Sequence, residues 1–428
     1  MTLPDVPSSS AKRRRPPWTP LRVVGLLTVI ALLGVVVAGV GYSVGQSMKS
    51  HRFQSTIADF YDLEGLDASA APGTILRAEP YDYVMDGGQG QRILYATRAP
   101  DGNPLIASGL VFTPDSPAGP TPPVVAWAHP TLGQGDPCAP SRQPPNKGPQ
   151  DTTIWMSQML KRGFIVTATD FTGLGTSEPK SYLVGGQEAR DIVYSVVAAR
   201  NLVDQKASKD YVVFGHSAGG HAALWAGELA AEIEPDLRLK GVAVAAPATE
   251  LKPIVDKQWD TAVGWVIGPE AAEGWSAYYP DLVVDPLLTA SGRAQQSNLE
   301  TACLMDAGIQ GLWSEAGKVN YFRVNPITNP TWAEVIRKET PRPFTGTPIL
   351  LAQGTADEVV LGGSNALMQQ KWCAAGSDLQ TIWMGGVKHS PAAIVIGPTV
   401  VNWAAERFAG KPQPNNCQDP PVVPPLPE

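Results

Sequence analysis

The chain has 428 residues, of which 43% are hydrophobic and 17% charged, so it has material for a large folded core and is not wholly disordered. Its 42 glycines and 41 prolines predict many turns, which excludes a coiled coil or a simple helical bundle. The net charge is −7; residues 1–44 hold one acid against five basic residues, a balance of +4, so the remainder carries −11. An acidic body argues against a nucleic-acid partner.

An uncharged stretch of 23 residues, 23–45, follows a cluster of four basic residues near the N-terminus. About 20 apolar residues span a bilayer, whereas the apolar part of a cleaved signal peptide has about 7–15. The length favours a membrane anchor at 23–45 behind a cytoplasmic basic terminus at 1–22. Small residues near the end of the stretch leave cleavage as the alternative. In both cases we expect an exported body, membrane-anchored through this segment or secreted.

Four cysteines, Cys138, Cys303, Cys373 and Cys417, are typical of an exported chain with two disulfides. Three pairings are possible, and four unpaired buried thiols are the alternative. No CxxC pair or histidine cluster accompanies them, so we expect no metal site.

Residues 46–72 are predicted to form a helical stalk and linker in front of a body at 73–411. In the body, an antiparallel hairpin precedes short apolar runs that alternate with helical stretches, which predicts an α/β fold with a mixed, mostly parallel sheet covered by helices on both faces. The apolar runs are 124–127, 164–169, 211–214, 241–245, 349–352 and 379–383. The helical stretches are 154–161, 187–203 and 220–231.

The alternation stops between about 247 and 345, where helical and tryptophan-rich pieces replace strands. This interval is predicted to be a helical cap inserted over one end of the sheet, with its aromatic residues forming either cap core or an acyl-binding wall. The proline-rich tail at 412–428 should be irregular or disordered.

The motif G-x-S-x-G occurs at 41–45 and at 215–219, and the second copy alone follows a predicted strand and opens a predicted helix. That context is what a nucleophile elbow requires, because small residues let the backbone turn sharply and expose the serine hydroxyl. We therefore predict that Ser217 is a nucleophile at a helix N-terminus, where the helix dipole stabilises negative charge. A glycine-rich turn in an ordinary strand–helix crossover is the alternative.

A serine nucleophile needs a base and an acid that orients the base. Of five histidines, His389 follows the last predicted strand, as expected for the chain order serine, acid, histidine. Asp357 lies on a loop after the strand at 349–352 and is the predicted acid. The adjacent Glu358 is the alternative acid. The other alternative is that Asp357 is a solvated loop carboxylate without a catalytic role.

A tetrahedral intermediate also needs hydrogen-bond donors for its oxyanion. The backbone N–H of Ala218, directly after the nucleophile, is one candidate. The loop after the strand at 124–127 should supply the other, and Thr131 is our choice because Pro130 has no N–H. A plain loop without this role is the alternative.

Several segments together carry a family resemblance: C-A-P-S (138–141), T-D-F-T-G-L-G (169–175), H-A-A-L-W-A (221–226), G-V-A-V-A-A-P (241–247), D-E-V-V (357–360) and K-H-S-P-A (388–392). With them the chain resembles the secretory lipase family of α/β-hydrolases, in its fungal lipase A-like branch. The resemblance implies an α/β-hydrolase fold with a helical cap and a Ser217–Asp357–His389 triad. It also implies the disulfides Cys138–Cys303 and Cys373–Cys417. The His-Pro at 129–130 departs from the His-Gly common among bacterial relatives and leaves the second oxyanion donor open.

The activity that the resemblance implies is hydrolysis of carboxylic esters, of the lipase or esterase type, on acylglycerol-type or other lipid or small esters and without a cofactor. An acyltransferase that passes the acyl group to an alcohol or an envelope sugar would use the same triad. A membrane-tethered binding protein on the same fold would lack a triad member, and nothing in the sequence marks the recognition of a peptide amine terminus.

Overall fold

The computed structural model describes residues 50, 52–144, 153–202 and 207–427. The predicted anchor at 23–45 lies outside these residues, and in the part that is described no helix is long and apolar enough to cross a bilayer. The chain divides into two compact units, Met1–Thr56 and Ile57–Glu428. In the first unit, residues 52–56 are helical, and the hydroxyls of Ser55 and Thr56 donate hydrogen bonds to carbonyls three residues earlier.

The second unit contains a nine-stranded sheet in the order β1-β2-β3-β5-β4-β6-β7-β8-β9. The strands are β1 (Ile75–Met85), β2 (Gly88–Arg98), β3 (Pro104–Pro114), β4 (Val124–Ala128), β5 (Ile165–Thr169), β6 (Asp210–His216), β7 (Arg238–Ala245), β8 (Ile349–Gly354) and β9 (Leu379–Met384). The pairs β1–β2, β2–β3 and β3–β5 are antiparallel, and every other pair is parallel. The predicted α/β class with a mixed, mostly parallel sheet is therefore confirmed.

Strand β1 is the strand that the sequence pattern does not predict. It pairs with β2 alone and therefore forms an edge of the sheet. Its sequence contains charged residues and Pro80, which an edge strand tolerates because one side of the strand needs no partner. An edge strand does not show the continuous apolar run by which buried parallel strands are recognised.

Helices cover both faces of the sheet. In chain order they are α1 (Ala58–Tyr61), α2 (Thr153–Lys161), α3 (Gly185–Leu202), α4 (Ala218–Ile233), α5 (Leu251–Gln258), α6 (Ala262–Tyr278), α7 (Ala290–Leu299), α8 (Leu304–Ala316), α9 (Pro330–Lys338), α10 (Gly362–Ala374) and α11 (Ala392–Phe408). One core packs α3, α4 and α10 against the sheet, and the other packs α2 and α11 against the opposite face. The inner parallel strands β4, β5, β6 and β8 are consequently buried on both sides, which explains their largely apolar sequences.

Helices α5 to α9 lie between β7 and β8, in the interval predicted as a cap, and they have a core of their own. Trp265, Trp275 and Trp332 are buried there, and Trp332 makes edge-to-face ring contacts with Trp275 and Phe322. Most of the tryptophans in this interval therefore form cap core.

The two disulfides pair Cys138 with Cys303 and Cys373 with Cys417, as the resemblance implies. The first joins the loop after β4 to the start of α8 in the cap. The second joins α10 to the C-terminal tail, which has no helix or strand from residue 411 to 427 and packs back on the body, with the Leu426 N–H donating to the Gly363 carbonyl (2.9 Å).

The body begins earlier in the chain than the sequence pattern predicts. Residues from Ile57 onward belong to it, although 46–72 were expected to form a stalk and linker. Phe60 and Tyr61 are buried, and the Arg77 guanidinium donates to the carbonyls of residues 59, 60 and 62. A four-residue helix with two aromatic residues gives too short a pattern to be recognised as part of a core.

Candidate active site

Ser217 occupies a sharp turn between β6 and α4. Its φ of 56° and ψ of −120° lie in a region that residues with side chains rarely adopt. A Cβ atom on Gly215 would lie 2.1 Å from the Gly219 carbonyl oxygen, and one on Gly219 would lie 2.1 Å from the Ala128 carbonyl oxygen. The crowding at these two positions explains why the motif has glycine on both sides of the serine.

The structure brings the three predicted triad residues together. The His389 Nε2 lies 2.9 Å from the Ser217 Oγ, and the His389 Nδ1 lies 2.9 Å from the Asp357 Oδ2. Ser217 follows β6, Asp357 follows β8 and His389 follows β9, and the carboxyl ends of these parallel strands meet at one edge of the sheet. All three residues are less than 10% exposed, so the contacts are shielded from water.

Asp357 is held by further hydrogen bonds that fix its orientation. Its Oδ1 accepts from the backbone N–H groups of Val359 and Val360 (both 2.9 Å), and its Oδ2 also accepts from the Gln353 side-chain amide (3.2 Å). The Gln353 carbonyl oxygen in turn accepts from the Asn365 amide (2.6 Å). Gln353 is a polar residue in an otherwise apolar strand, and this is the signal in the sequence that marks it.

Among the described contacts, Glu358, the alternative acid, makes no hydrogen bond with the His389 imidazole. Its side chain is more than half exposed and lies 3.4 Å from the Lys388 ammonium group. The loop geometry therefore favours Asp357 as the partner of His389.

His216, inside the glycine motif, contributes a contact that the sequence did not predict. Burial, and secondarily the neighbouring His389, lower its pKa to about 3, so it is neutral at physiological pH. Its Nε2–H donates to the backbone carbonyl of His389 (3.1 Å). His216 thus holds the main chain that carries the base.

The two candidate oxyanion donors line one small cavity of about 30 Å³ beside the nucleophile. The backbone N–H groups of Ala218 and Thr131 donate no hydrogen bond to any group in the described part of the chain. The Thr131 hydroxyl lies 2.6 Å from the Tyr182 hydroxyl, and Tyr182 is a partly buried neighbour that no motif marks in the sequence. We call residues 129–139, which include Thr131, the β4 loop.

A larger, apolar cavity of about 90 Å³ opens beside Ser217 and Ala218 and reaches into the cap. Its walls come mainly from α5, α6 and the residues after β8. They include Leu251, Ile254, Val255, Trp259, Val263, Ile267, Trp275, Phe322, Trp332 and Val360. The nucleophile therefore lies at the boundary between a polar loop and an apolar chamber.

A buried carboxyl group from the cap faces the β4 loop. Glu270 of α6 accepts a hydrogen bond from the Gln134 amide (3.2 Å), and its second oxygen has no partner among the described residues. Burial, and to a smaller extent the nearby Glu273, raise its pKa to about 8, so it carries a proton at neutral pH.

No group of three or more metal-ligating side chains is found within the described ranges.

Comparison with known protein families gives one match that covers most of the body. The model of the family described as Secretory lipase matches residues 149–416, which is more than half of the chain. Among individual relatives, Lipase 4 of Candida albicans is 24% identical over 284 residues, which are 63% of this chain and 61% of that lipase. The chain thus spans about three fifths of the length of the first relatives it matches.

A second relative comes from a bacterium, and its match covers more of this chain than that of Lipase 4. A probable inactive lipase of Mycobacterium tuberculosis (strain CDC 1551 / Oshkosh) is 24% identical over 366 residues, 80% of either chain. Among solved structures, the closed state of Candida antarctica lipase A superposes with a TM-score of 0.68 at 19% identity and covers 82% of this chain and 86% of that one. The expected α/β-hydrolase fold agrees with this likeness, and the family is a secretory one, in keeping with two disulfides.

Proposed function

The chain belongs to the secretory lipase family, and from this premise we propose that it is a serine carboxylic-ester hydrolase that works through an acyl-enzyme. The observation that carries the proposal is the continuous hydrogen-bonded line from Ser217 through His389 to Asp357, with both contacts at 2.9 Å. A relative is a probable inactive lipase, so family membership alone does not decide activity. The intact line of contacts supports an active enzyme.

In the first half-reaction His389 accepts the proton of the Ser217 hydroxyl through Nε2 while the serine oxygen attacks the ester carbonyl. Asp357 accepts a hydrogen bond from Nδ1–H, which keeps Nε2 free as the base and stabilises the imidazolium that forms. The protonated His389 then donates its proton to the leaving alcohol. The hydrogen bonds that Asp357 accepts from two backbone N–H groups hold the carboxylate in place.

The tetrahedral intermediate places negative charge on the former carbonyl oxygen. We assign its two donors to the N–H groups of Ala218 and Thr131, because both groups are without a partner in the described chain and line the same cavity. Water, activated by His389, then attacks the acyl-enzyme and releases the acid.

The substrate class follows from the apolar cavity. Its walls are aliphatic and aromatic, and it meets the site at Ser217 itself, so an acyl chain placed there would present its carbonyl to the nucleophile. The proposed substrates are therefore lipid esters, of the acylglycerol type or others, whose acyl chain occupies this cavity.

We further propose that the body acts outside the cytoplasm, where its disulfides are stable. The segment at 23–45 would hold it at the membrane or be removed on export.

The test uses the full chain, the Ser217→Ala variant and a series of nitrophenyl esters from acetyl to palmitoyl. We expect hydrolysis that Ser217→Ala abolishes, with an optimum above acetyl because the cavity is apolar. A fluorescent alkyl phosphonate should label the serine of the parent protein and leave the variant unlabelled.

Hydrolysis that survives in Ser217→Ala would refute the nucleophile. Phosphonate labelling at Ser217 without turnover of any ester in water would refute hydrolysis and favour acyl transfer. An optimum at acetyl would refute the lipid-ester assignment while leaving the triad intact.

A further inference from the structure

Two of the sequence motifs that carry the family resemblance supply no residue of the triad. They are C-A-P-S at 138–141 and T-D-F-T-G-L-G at 169–175. In the structure the two motifs meet through Ser141 and Asp170, and both side chains are fully buried. Ser141 comes two residues after the β4 loop, and Asp170 is the first residue after strand β5. The contact therefore joins the chain beyond the β4 loop to the end of a central strand.

The Asp170 carboxylate accepts three hydrogen bonds, all from serines. Its Oδ1 accepts from the Ser141 backbone N–H (3.0 Å), and its Oδ2 accepts from the Ser141 hydroxyl and from the Ser108 hydroxyl of β3 (2.6 Å for Ser108). The Asp170 backbone N–H also donates to the Ser108 carbonyl (2.9 Å). Asp170 is thus fixed to the sheet through Ser108, and it holds Ser141 by both the main chain and the side chain.

The main chain of Asp170 reaches the other end of the β4 loop. The last residues of β4 and β5 are paired in the sheet, so the residues that follow them, His129 and Asp170, leave the sheet side by side. The His129 Nε2 lies 3.2 Å from the Asp170 carbonyl oxygen. One residue therefore contacts both ends of the segment that carries Thr131, at His129 before it and at Ser141 after it.

Several other contacts of the β4 loop lead to the cap. Cys138 is disulfide-bonded to Cys303, and the Gln134 N–H donates to the Ala302 carbonyl (3.1 Å). An oxyanion donor must be fixed relative to the nucleophile, because a displaced donor loses its hydrogen bond to the transition state. Ser217 follows β6, which is the sheet neighbour of β4. Anchorage to the sheet therefore fixes the loop relative to Ser217 more directly than anchorage to the cap.

We propose that Asp170 is a positioning residue that holds the Thr131 N–H in place as an oxyanion donor. The inference rests on the proposed ester hydrolysis. Both carboxylate oxygens of Asp170 already accept hydrogen bonds from serines, so the side chain acts through the β4 loop and does not touch the substrate. An aspartate suits this role because a carboxylate offers two acceptor oxygens, whereas an asparagine offers one.

The test uses the two serines, because replacing Asp170 leaves a buried N–H and two hydroxyls without an acceptor and endangers the fold. In the full chain, Ser141→Ala and Ser108→Ala each remove one buried hydroxyl from the same Asp170 oxygen. Ser108 lies on the sheet side and is the matched control. The Ser141 hydroxyl also lies 2.6 Å from the Tyr61 hydroxyl, so Tyr61→Phe is the second control.

Three quantities are measured for each protein. They are kcat and KM on a short soluble nitrophenyl ester, the rate constant for labelling of Ser217 by a fluorescent alkyl phosphonate, and the thermal midpoint. The phosphonate rate is included because the phosphonyl oxygen uses the same donors and its reaction needs no turnover.

We expect Ser141→Ala to lower kcat about tenfold with KM changed by less than about twofold, which is the pattern for an interaction made in the transition state. The phosphonate rate should fall by a similar factor. Ser108→Ala and Tyr61→Phe should keep kcat and the phosphonate rate within about twofold of the parent. Ser108→Ala should nevertheless lower the thermal midpoint as much as Ser141→Ala does, because each loses one buried hydrogen bond.

Equal losses of kcat in the two serine variants, or no loss in Ser141→Ala, would overturn the proposal, since the contact would then serve folding alone. A loss in Tyr61→Phe as large as that in Ser141→Ala would also overturn it, because the Tyr61 contact would then be responsible. A parent that is labelled at Ser217 but hydrolyses no ester would refute the proposed function instead, and the labelling rates would still decide the role of Asp170.

Discussion

The buried carboxyl of Glu270 makes a quantitative prediction about stability. Its pKa rises from 4.5 to about 8 in the folded protein because the side chain is withdrawn from water. Between pH 4.5 and about pH 8 the unfolded chain has released a proton that the folded chain retains. The folded state therefore loses stability as the pH rises through this range. The cumulative loss is at most about 5 kcal/mol, at about 1.4 kcal/mol for each pH unit. At pH 5 it is under about 1 kcal/mol by the same relation.

The variant Glu270→Gln keeps the shape of the protonated acid and the acceptor for the Gln134 amide but cannot ionise. We expect it to match the parent at pH 5 and to exceed it at pH 8.5. For a domain of this size 1 kcal/mol corresponds to about 1–2 °C in the thermal midpoint, so the gain at pH 8.5 should approach about 5–10 °C.

The assay is a set of thermal midpoints from pH 5 to pH 8.5 for the parent, Glu270→Gln and the control Glu232→Gln. Glu232 has a side chain that is 73% exposed, so its replacement should leave the pH profile unchanged. The Lys180 ammonium group, which lies 3.0 Å from the Glu273 carboxylate, is present in all three proteins, so its charge affects them equally. A difference between Glu270→Gln and the parent that is constant with pH, or that falls as the pH rises, would refute the reasoning.

Three further predictions concern the site and its supports. Tyr182→Phe removes the hydroxyl contact with the β4 loop and should lower kcat on a soluble ester by about five- to tenfold with little change in KM; an unchanged kcat would show that the contact does not position the donor. Gly219→Ala should leave no folded active protein, because its Cβ would meet a backbone oxygen at 2.1 Å, whereas Gly308→Ala, with open space around it, should keep the parent's thermal midpoint or raise it. Replacing Cys373 and Cys417 by serine opens a connection with a sequence separation of 44 and should cost about 3–4 kcal/mol, and a midpoint equal to the parent's would contradict this.

Much of the sheet could be predicted because buried parallel strands have a distinctive sequence. The six runs placed between 124 and 383 all coincide with strands β4 to β9, since a strand covered by helices on both faces is apolar over most of its length. Strand β1 and the short helix at Ala58–Tyr61 were not predicted. Their burial depends on partners far away in the chain, such as the hydrogen bond between Tyr61 and Ser141 (2.6 Å).

The sequence alone determined which residues could form the site. The elbow motif singled out Ser217 because only small neighbours permit its backbone conformation, and the chain order of strands and loops pointed to Asp357 and His389. These inferences rest on local constraints that a single chain displays directly.

The tertiary structure decided how those residues are supported and what surrounds them. Tyr182 and Gln353 carry no motif. Their roles arise from packing between segments that are distant in the sequence, such as the cap and the β4 loop joined by Cys138 and Cys303. Local sequence patterns indicate which chemistry a residue can perform, whereas burial and long-range contacts determine which groups surround it.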